Sequence, residues 1–247
     1  MSDAGQRGAS PDRLGRVLVV IPTYNEAGMI ESMIAGVLRQ DPRLDVLVVD
    51  DASADGTGDL VEGFARTESR AHLLRRPGKA GLGSAYLAGF RFGLERGYDA
   101  IFTMDGDGSH DPKALPALLS ALDRSDMVIG SRYVPGGGIA NWKIHRRVLS
   151  AFANGYTRVL LRIPQRDCTS GYRGYRSEML RAVDPFRTRA SGYSFLEEMV
   201  WKVHSRGFRV VEIPIVFVDR HMGMTKIELS EILKAAWHVL QNALRRR

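Results

Sequence analysis

An open, mainly parallel β-sheet with helices on both faces is the fold class that this chain predicts, on three observations. RVLVVI (16–21), DVLVVD (45–50) and DAIFTM (99–104) are near-continuous apolar runs, the pattern of strands buried on both faces. The segments between them carry apolar residues at helical spacing, so strand and helix alternate as in βαβ units. The 247 residues, 44% hydrophobic and 26% charged, suffice for one core of this class.

The elements follow in order. Pro22 ends the first strand, and a helix runs through Ile30, Ile34, Val37 and Leu38. A weaker third strand at 71–74 precedes a helix over 83–96. After the fourth strand, Asp111 caps a helix that opens on Pro112, and 126–130 is the fifth strand. The rhythm then breaks at the flexible loop VPGGG (134–138). A long helix over 144–161 places Val148, Phe152, Tyr156, Val159 and Leu160 on or near one side, with Arg146, Arg147, Arg158 and Arg162 as its charges. A helix over 195–206 leads to two short strands in FRVVEIPIVFV, bent at Pro214. The last helix, 227–244, carries Ile232, Leu233, Ala236, Trp237 and Leu240 and ends in Arg245, Arg246 and Arg247. No internal repeat or low-complexity tract interrupts this order.

Charge divides the chain. Residues 1–130 hold 14 Lys+Arg against 19 Asp+Glu, and residues 131–247 hold 21 against 9. An acidic front half suits a cation or a sugar, and a basic rear half suits phosphate or an anionic surface. Nucleic acid is not expected, because no helix-turn-helix, zinc or RNA-binding sheet signature accompanies the charge. The single cysteine, Cys168, has no internal disulfide partner. No 18-residue apolar run exists, and the first 15 residues lack a signal-peptide core and read as a flexible tail, so a cytoplasmic location is expected.

Ligands of open α/β sheets gather where parallel strands end, and four such ends carry polar clusters. The fourth runs into MDGDGSH, where Asp105 and Asp107 stand two apart. Such neighbours repel unless a cation lies between them, and Mg²⁺ or Mn²⁺ shared with nucleotide phosphates meets that need. Ser109 or His110 adds a ligand or a hydrogen bond, a structural role being an equal alternative for His110. The first strand ends in IPTYNE, so Thr23, Tyr24, Asn25 and Glu26 line a nucleotide cleft, with Glu26 also suited to a first helical turn. Neither G-x-G-x-x-G nor a P-loop is present, which counts against nicotinamide and P-loop enzymes. The second strand ends in DDASADGT, where Asp51 reads a base or ribose edge and Asp55-Gly56-Thr57 is a structural turn. GKAGLGSA (78–85) is a loop that lets backbone pass close to a ligand. Arg132 ends the fifth strand, and Arg146, Arg147, Arg220 and Lys226 are further phosphate-binding candidates.

IPTYNE, DDASADGT, MDGDGSHDP, GSRYVPGG, NW with the following RR, DCTSGYRGYR, GYSFLEE and EIPIVFVDRHMGMTK together resemble the GT-A glycosyltransferases of family 2. Within them they resemble the branch that mannosylates a polyprenyl phosphate, in order over about residues 16–230. The family's D-A-D stands here as Asp105-Gly106-Asp107, which keeps both carboxylates. The resemblance implies a GT-A, Rossmann-like sheet with amphipathic C-terminal helices. It divides the chain into a tail (1–15), a catalytic domain (16–230, nucleotide half 16–130 and acceptor half 131–230) and a basic helix (227–247).

The implied reaction moves mannose from GDP-mannose to a dolichyl-type polyprenyl phosphate with inversion, using Mg²⁺ or Mn²⁺. Pro22, Tyr24, Glu26 and Asp51 then contact guanosine, and Asp105, Asp107 and Ser109 hold metal and diphosphate. Arg132, Arg146, Arg220 and Lys226 surround the phosphates, Thr169–Arg176 forms a wall of the site, and Glu197 with Glu198 meets sugar hydroxyls. Asp107 serves as metal and sugar ligand. No protein base is needed, since a phosphate acceptor is already ionised. The helices over 144–161 and 227–244 are then expected to meet the cytoplasmic face of a membrane. Some members carry C-terminal membrane spans and none is read here, which leaves a membrane-anchoring partner protein as an open alternative. UDP-glucose as donor, giving a polyprenyl-phosphate glucosyltransferase, is the alternative.

Overall fold

The computed structural model describes residues 14–188, 192, 194–219, 237, 239–241 and 243. Within 14–183 the chain forms β1 (Val17–Thr23), α1 (Ile30–Leu38), β2 (Leu44–Asp50), α2 (Thr57–Ala65), β3 (Ala71–Arg75), α3 (Leu82–Glu95), β4 (Ala100–Thr103), α4 (Leu115–Leu122), β5 (Met127–Ser131), β6 (Gly138–Ala140), α5 (Ile144–Leu161), β7 (Arg173–Arg176) and α6 (Ser177–Val183). It continues with α7 (Ser194–Ser205), β8 (Val210–Pro214) and β9 (Val216–Val218). Seven strands make one sheet in the order β3-β2-β1-β4-β7-β5-β8, and β6 pairs with β9 in a small parallel ribbon.

The apolar runs explain the layering. Alternate residues of a strand face opposite sides, and here both sides are covered. Val17, Val19 and Ile21 of β1, with Leu44, Val46 and Val48 of β2, pack in one core with Ile30 and Ile34 of α1 and Leu115, Leu118 and Leu122 of α4. Leu18, Val20, Leu47 and Val49 face the other core, with Tyr86 and Phe90 of α3 and Phe195, Met199 and Val203 of α7. Fully burying each such side chain contributes roughly 1.5–3 kcal/mol.

β7 is antiparallel to both neighbours, β4 and β5, while the other pairs of the sheet are parallel. Thr103, the last residue of β4, lies opposite Arg173, the first of β7. The segment entering β7 therefore lies at the edge where the parallel strands end. This four-residue strand and α6 are not evident in the sequence.

Four local expectations are adjusted. Pro22 does not end β1; it pairs in register with Val49. Val20 accepts a hydrogen bond from Met104, and β1–β4 pairing stops at Val20. By alternation Pro22 turns its missing N–H toward that same side, where no ladder bond is lost. Glu26 lies ahead of α1, so it is not a first-turn residue. The VPGGG loop gives its last glycine to β6. Asp111 does cap, accepting from the Lys113 amide, but the turn that Pro112 opens is 3₁₀ before α4 begins.

The boundaries of α5 match the expectation, and its orientation is informative. Asn154, Thr157 and Leu161 face inward. Ile144, Val148, Phe152 and Val159 face outward, 79, 63, 69 and 75% exposed. The expected helix over 227–244 lies almost wholly outside the described residues; Trp237, Val239–Gln241 and Ala243 are helical, with Trp237 exposed and Val239 buried. Among the described residues no helix is long and apolar enough to cross a membrane.

Candidate active site

The polar ends of β1, β2, β4 and β5, with the approach to β7, form one rim. Two loops brace each other at its left side. After β1, Asn25 takes a left-handed conformation (φ 60°), its amide donates to Ser53 Oγ (2.9 Å), and its Oδ1 accepts from the Ala54 amide (3.0 Å). Asp55 accepts from the amides of Ala27 and Thr57, so it is a structural turn residue as its motif predicts. Its carboxyl is held below its ordinary range, these hydrogen bonds and that of the Thr57 hydroxyl outweighing burial.

Asp50, the last residue of β2, and Asp51, just beyond it, take different partners. Asp50 accepts from Thr23 and Ser53. Asp51 is clasped by both arms of Arg76, at 2.5 and 2.6 Å, and Arg76 also donates to Ser84 at the start of α3 (2.8 Å). Tyr24 stands 45% exposed at the rim, with Lys79 Nζ 4.3 Å from its ring centroid. Pro22 and Tyr24 thus share the rim with Asp51, and Arg76 and Lys79 join them without having been predicted as ligands.

The turn after β4 carries the acidic centre. Asp107 Oδ1 accepts from the Ser109 amide (2.9 Å) and hydroxyl (2.5 Å), and no donor among the described residues reaches Oδ2. Ser109 is buried and its proton is committed, so it braces Asp107. Asp105 accepts from the Tyr86 hydroxyl (3.2 Å), and its amide donates to His110 Nδ1 (3.1 Å). His110 is buried, stacked on Tyr172 at 4.9 Å, and burial lowers its pKa despite the nearby Asp105 charge. It is therefore a neutral imidazole accepting at Nδ1, a structural support for the turn. Burial raises the Asp105 carboxyl, with Asp107 acting in the same sense and His110 against it.

Glu26 faces this pair across the rim. Burial, then the charges of Asp107, Asp55 and Asp105, push it up to about 7. Two glycines make the packing possible. A Cβ on Gly106 would lie 3.1 Å from the Pro22 carbonyl oxygen, so glycine in the D-G-D motif relieves crowding as well as loosening backbone. A Cβ on Gly171 would lie 2.9 Å from Asp105 Oδ1 and 3.0 Å from the Tyr86 oxygen, so the approach to β7 passes directly against the acidic centre.

The cationic side differs from the expectation in one respect: its arginines are already matched. Arg132 is buried, giving two 2.7 Å hydrogen bonds to Asp167 and one of 2.7 Å to Thr169. Arg146 pairs with Asp219 (2.6 Å) and lies 4.1 Å from the Trp142 ring centroid, while Arg132 lies 5.6 Å from the same ring. The structure thus gathers Arg132 and Arg146 about Trp142. Arg147 is exposed on α5. Arg220 and Lys226 lie outside the described residues.

Of the wall segment Thr169–Arg176, Arg173 is wholly buried and donates to the carbonyls of Cys168, Ser170 and Leu196, each at 2.6 Å. Arg176 donates to those of Leu122, Asp123 and Ser125. Glu197 is buried and accepts from Thr157 of α5 (3.1 Å), and Glu198 pairs with Lys202 (3.2 Å). Asp167 is the functional neighbour that sequence reasoning missed. Its signal was present, since it is the first acidic residue after Asp126 in an arginine-rich stretch.

The donor set fits a hard divalent cation: two carboxylates on one turn, one with an oxygen that no described residue donates to, in a region whose negative charge helps raise Glu26. Among the described residues no three acidic, histidine or cysteine side chains close on one point. Phosphate oxygens or water would complete such a coordination sphere.

Comparison with known proteins adds the following. Residues 18–184 match the model for glycosyl transferase family 2. The chain is 45% identical over 246 residues, 99% of its length and 93% of the relative's, to polyprenol monophosphomannose synthase of Mycolicibacterium smegmatis. It is 47% identical over 212 residues, 86% of its length and 87% of the relative's, to undecaprenyl-phosphate mannosyltransferase of Micrococcus luteus. Among solved structures it resembles glucosyl-3-phosphoglycerate synthase of Mycobacterium tuberculosis in complex with Mn²⁺, UDP and phosphoglyceric acid. The TM-score is 0.66 at 19% identity, covering 94% of this chain and 78% of that one, a likeness of fold.

Proposed function

The chain belongs to glycosyl transferase family 2, and from that premise we propose that it transfers mannose from GDP-mannose to the phosphate of a polyprenyl phosphate. The observation that carries this reading is the acidic turn after β4, opposite the Arg132–Trp142–Arg146 group on the same rim. Similarity to two lipid-phosphate mannosyltransferases, over 99% and 86% of the chain, supports the choice of substrates.

The chain's groups divide the work. The exposed face of Tyr24, with Lys79 beside it, and Asp51 held by Arg76 receive the nucleoside, and Pro22 and Glu26 border it. Asp105 and Asp107 would hold Mg²⁺ or Mn²⁺, with Ser109 fixing Asp107; bound there, the ion would offset the charge of the leaving diphosphate. Arg132 and Arg146, with Arg220 and Lys226 assigned by motif, orient the acceptor phosphate and stabilise its charge. A phosphate oxygen forms its bond to the anomeric carbon from the face opposite the diphosphate, whose C–O bond breaks with both electrons leaving on GDP. The attacking oxygen is already anionic near neutral pH, its second pKa being about 6, so no side chain has to remove a proton.

The lipid acceptor calls for a membrane surface, and the outward apolar stripe of α5 supports peripheral attachment; the cytoplasmic face is the side proposed for it. An anchoring partner protein remains an open alternative.

A paired assay tests the reading. Purified chain, Mg²⁺ or Mn²⁺ and short-chain polyprenyl phosphate in detergent receive labelled GDP-mannose or UDP-glucose. Lipid-soluble label from GDP-mannose, abolished by chelator and by Asp107→Ala, is expected. Label from UDP-glucose alone would establish the glucosyltransferase alternative, and no label from either would overturn the acceptor.

A further inference from the structure

The rear flank of α5 carries a feature that the transfer reaction does not use. A cleft of about 290 Å³ lies there, lined by Tyr133, Ala151, Asn154, Gly155, Arg158 and Arg166. Its floor is small, and a Cβ on Gly155 would meet nothing within 4 Å outside its own helix. The polar groups of the floor are committed elsewhere: Asn154 bonds Ser150, Thr169 and the Cys168 amide, and the Tyr133 hydroxyl donates to Ser150. The two arginines at the mouth are not committed. Both are exposed, and neither pairs with an acidic side chain among the described residues. Among the described residues, Asp167 is held by Arg132, and both Glu212 oxygens accept backbone amides, those of Arg166 and Asp167.

Position on the helix gives the cleft its meaning. At 100° per residue, Ile144, Val148, Gly155, Phe152 and Val159 form one stripe, and Arg147, Ala151 and Arg158 form its immediate border. The cleft therefore opens along the edge of the exposed apolar stripe. Residues 127–166 hold seven Lys and Arg and no Asp or Glu. A cationic notch beside an apolar stripe matches one ligand arrangement, an anionic phosphate at the water boundary of a bilayer whose acyl region receives the stripe.

We infer that this cleft is a binding site for the headgroup phosphate of an anionic phospholipid, separate from the acceptor site and held by Arg158 and Arg166. The inference rests on the reading of α5 as a bilayer-facing helix. Headgroup capture beside the active-site rim would fix the enzyme's orientation on the surface where its lipid acceptor resides.

The test sediments the full chain with vesicles of phosphatidylcholine, and of phosphatidylcholine with phosphatidylglycerol. Wild type is compared with Arg158→Gln/Arg166→Gln and with Gly155→Leu, which places a bulky side chain at the cleft and leaves every charge in place. The double variant is expected to bind phosphatidylglycerol vesicles about 25-fold more weakly, from roughly fivefold per arginine, with phosphatidylcholine binding and turnover in detergent unchanged. Gly155→Leu also adds apolar surface to the stripe, so its effect is read as the ratio of phosphatidylglycerol to phosphatidylcholine binding, which should fall. An unaltered ratio in Gly155→Leu would assign the effect to diffuse surface charge and overturn the site. So would stabilisation of wild type, but not the double variant, by millimolar inorganic phosphate, which would assign a soluble anion. Wild type that turns over in detergent but ignores both vesicles would overturn the inference and leave the transferase reading intact. Selective vesicle binding without turnover would uphold the cleft and overturn the transferase reading.

Discussion

Asp167 grips Arg132 through two parallel 2.7 Å hydrogen bonds, and the pair is buried at the rim that the lipid phosphate is proposed to reach. Burial alone would raise the Asp167 carboxyl; the Arg132 hydrogen bonds and charge outweigh it and hold it low. Such a pair fixes a guanidinium's direction, leaving its other N–H groups to a ligand. Removing one partner strands the other charge, so Asp167→Asn should lower stability by about 3 kcal/mol and reduce turnover with it. The urea midpoint measures the first effect. A midpoint equal to wild type would show that the pair does not anchor the rim.

Glu197 gives a pH dependence of definite sign. Burial, opposed by the Thr157 hydrogen bond and Arg173, pushes its carboxyl up to about 7 against an ordinary 4.5. Between these values the folded chain keeps a proton that the unfolded chain releases, so this contribution to stability is complete below pH 4.5 and is lost as pH rises through about 7. Glu197→Gln should flatten the thermal midpoint over that window and exceed wild type at pH 8. Parallel pH profiles for the two proteins would refute the assignment.

The sequence made the parallel strands, α5 and the acidic turn legible because each is written in local pattern: a buried apolar run, a helical period, a D-x-D after a strand. What it hid was non-local. β7 is four residues with two arginines, and nothing in RGYR announces a central strand; Arg173 is tolerated there because three carbonyls brought from elsewhere receive it. Periodicity alone could not say that the α5 apolar stripe faces outward, since it gives an apolar face but not what covers it; that expectation comes from the family resemblance. Arg132 was found as a rim cation, but its partner 35 residues later was not, because pairing belongs to the fold.

Gly171 separates a steric requirement from a merely permitted glycine. A side chain there would press on Asp105 and the Tyr86 hydroxyl at once. Gly171→Ala should keep the fold and lose turnover about 100-fold, the scale of an ångström-sized misplacement. Gly63→Ala on exposed α2, where a Cβ meets nothing within 4 Å, should keep full turnover and gain about 0.5–1 kcal/mol. Comparable turnover in both variants would mean that Asp105 has room to move.

The Ser109–Asp107 contact predicts how metal dependence should divide between two neighbouring residues. Ser109 gives two hydrogen bonds to one Asp107 oxygen, one from its amide and one from its hydroxyl. Ser109→Ala removes only the second, so Asp107 keeps its charge and half of its tether. The metal concentration for half-maximal turnover should then rise 10- to 100-fold, the usual effect of losing an outer hydrogen bond to a ligand, and saturating Mn²⁺ should restore most of the rate. Asp107→Asn keeps the shape and loses the charge, so no metal concentration should restore it. If Ser109 were itself a ligand with Asp107 secondary, the order would reverse, and Asp107→Asn would be the variant that excess Mn²⁺ rescues.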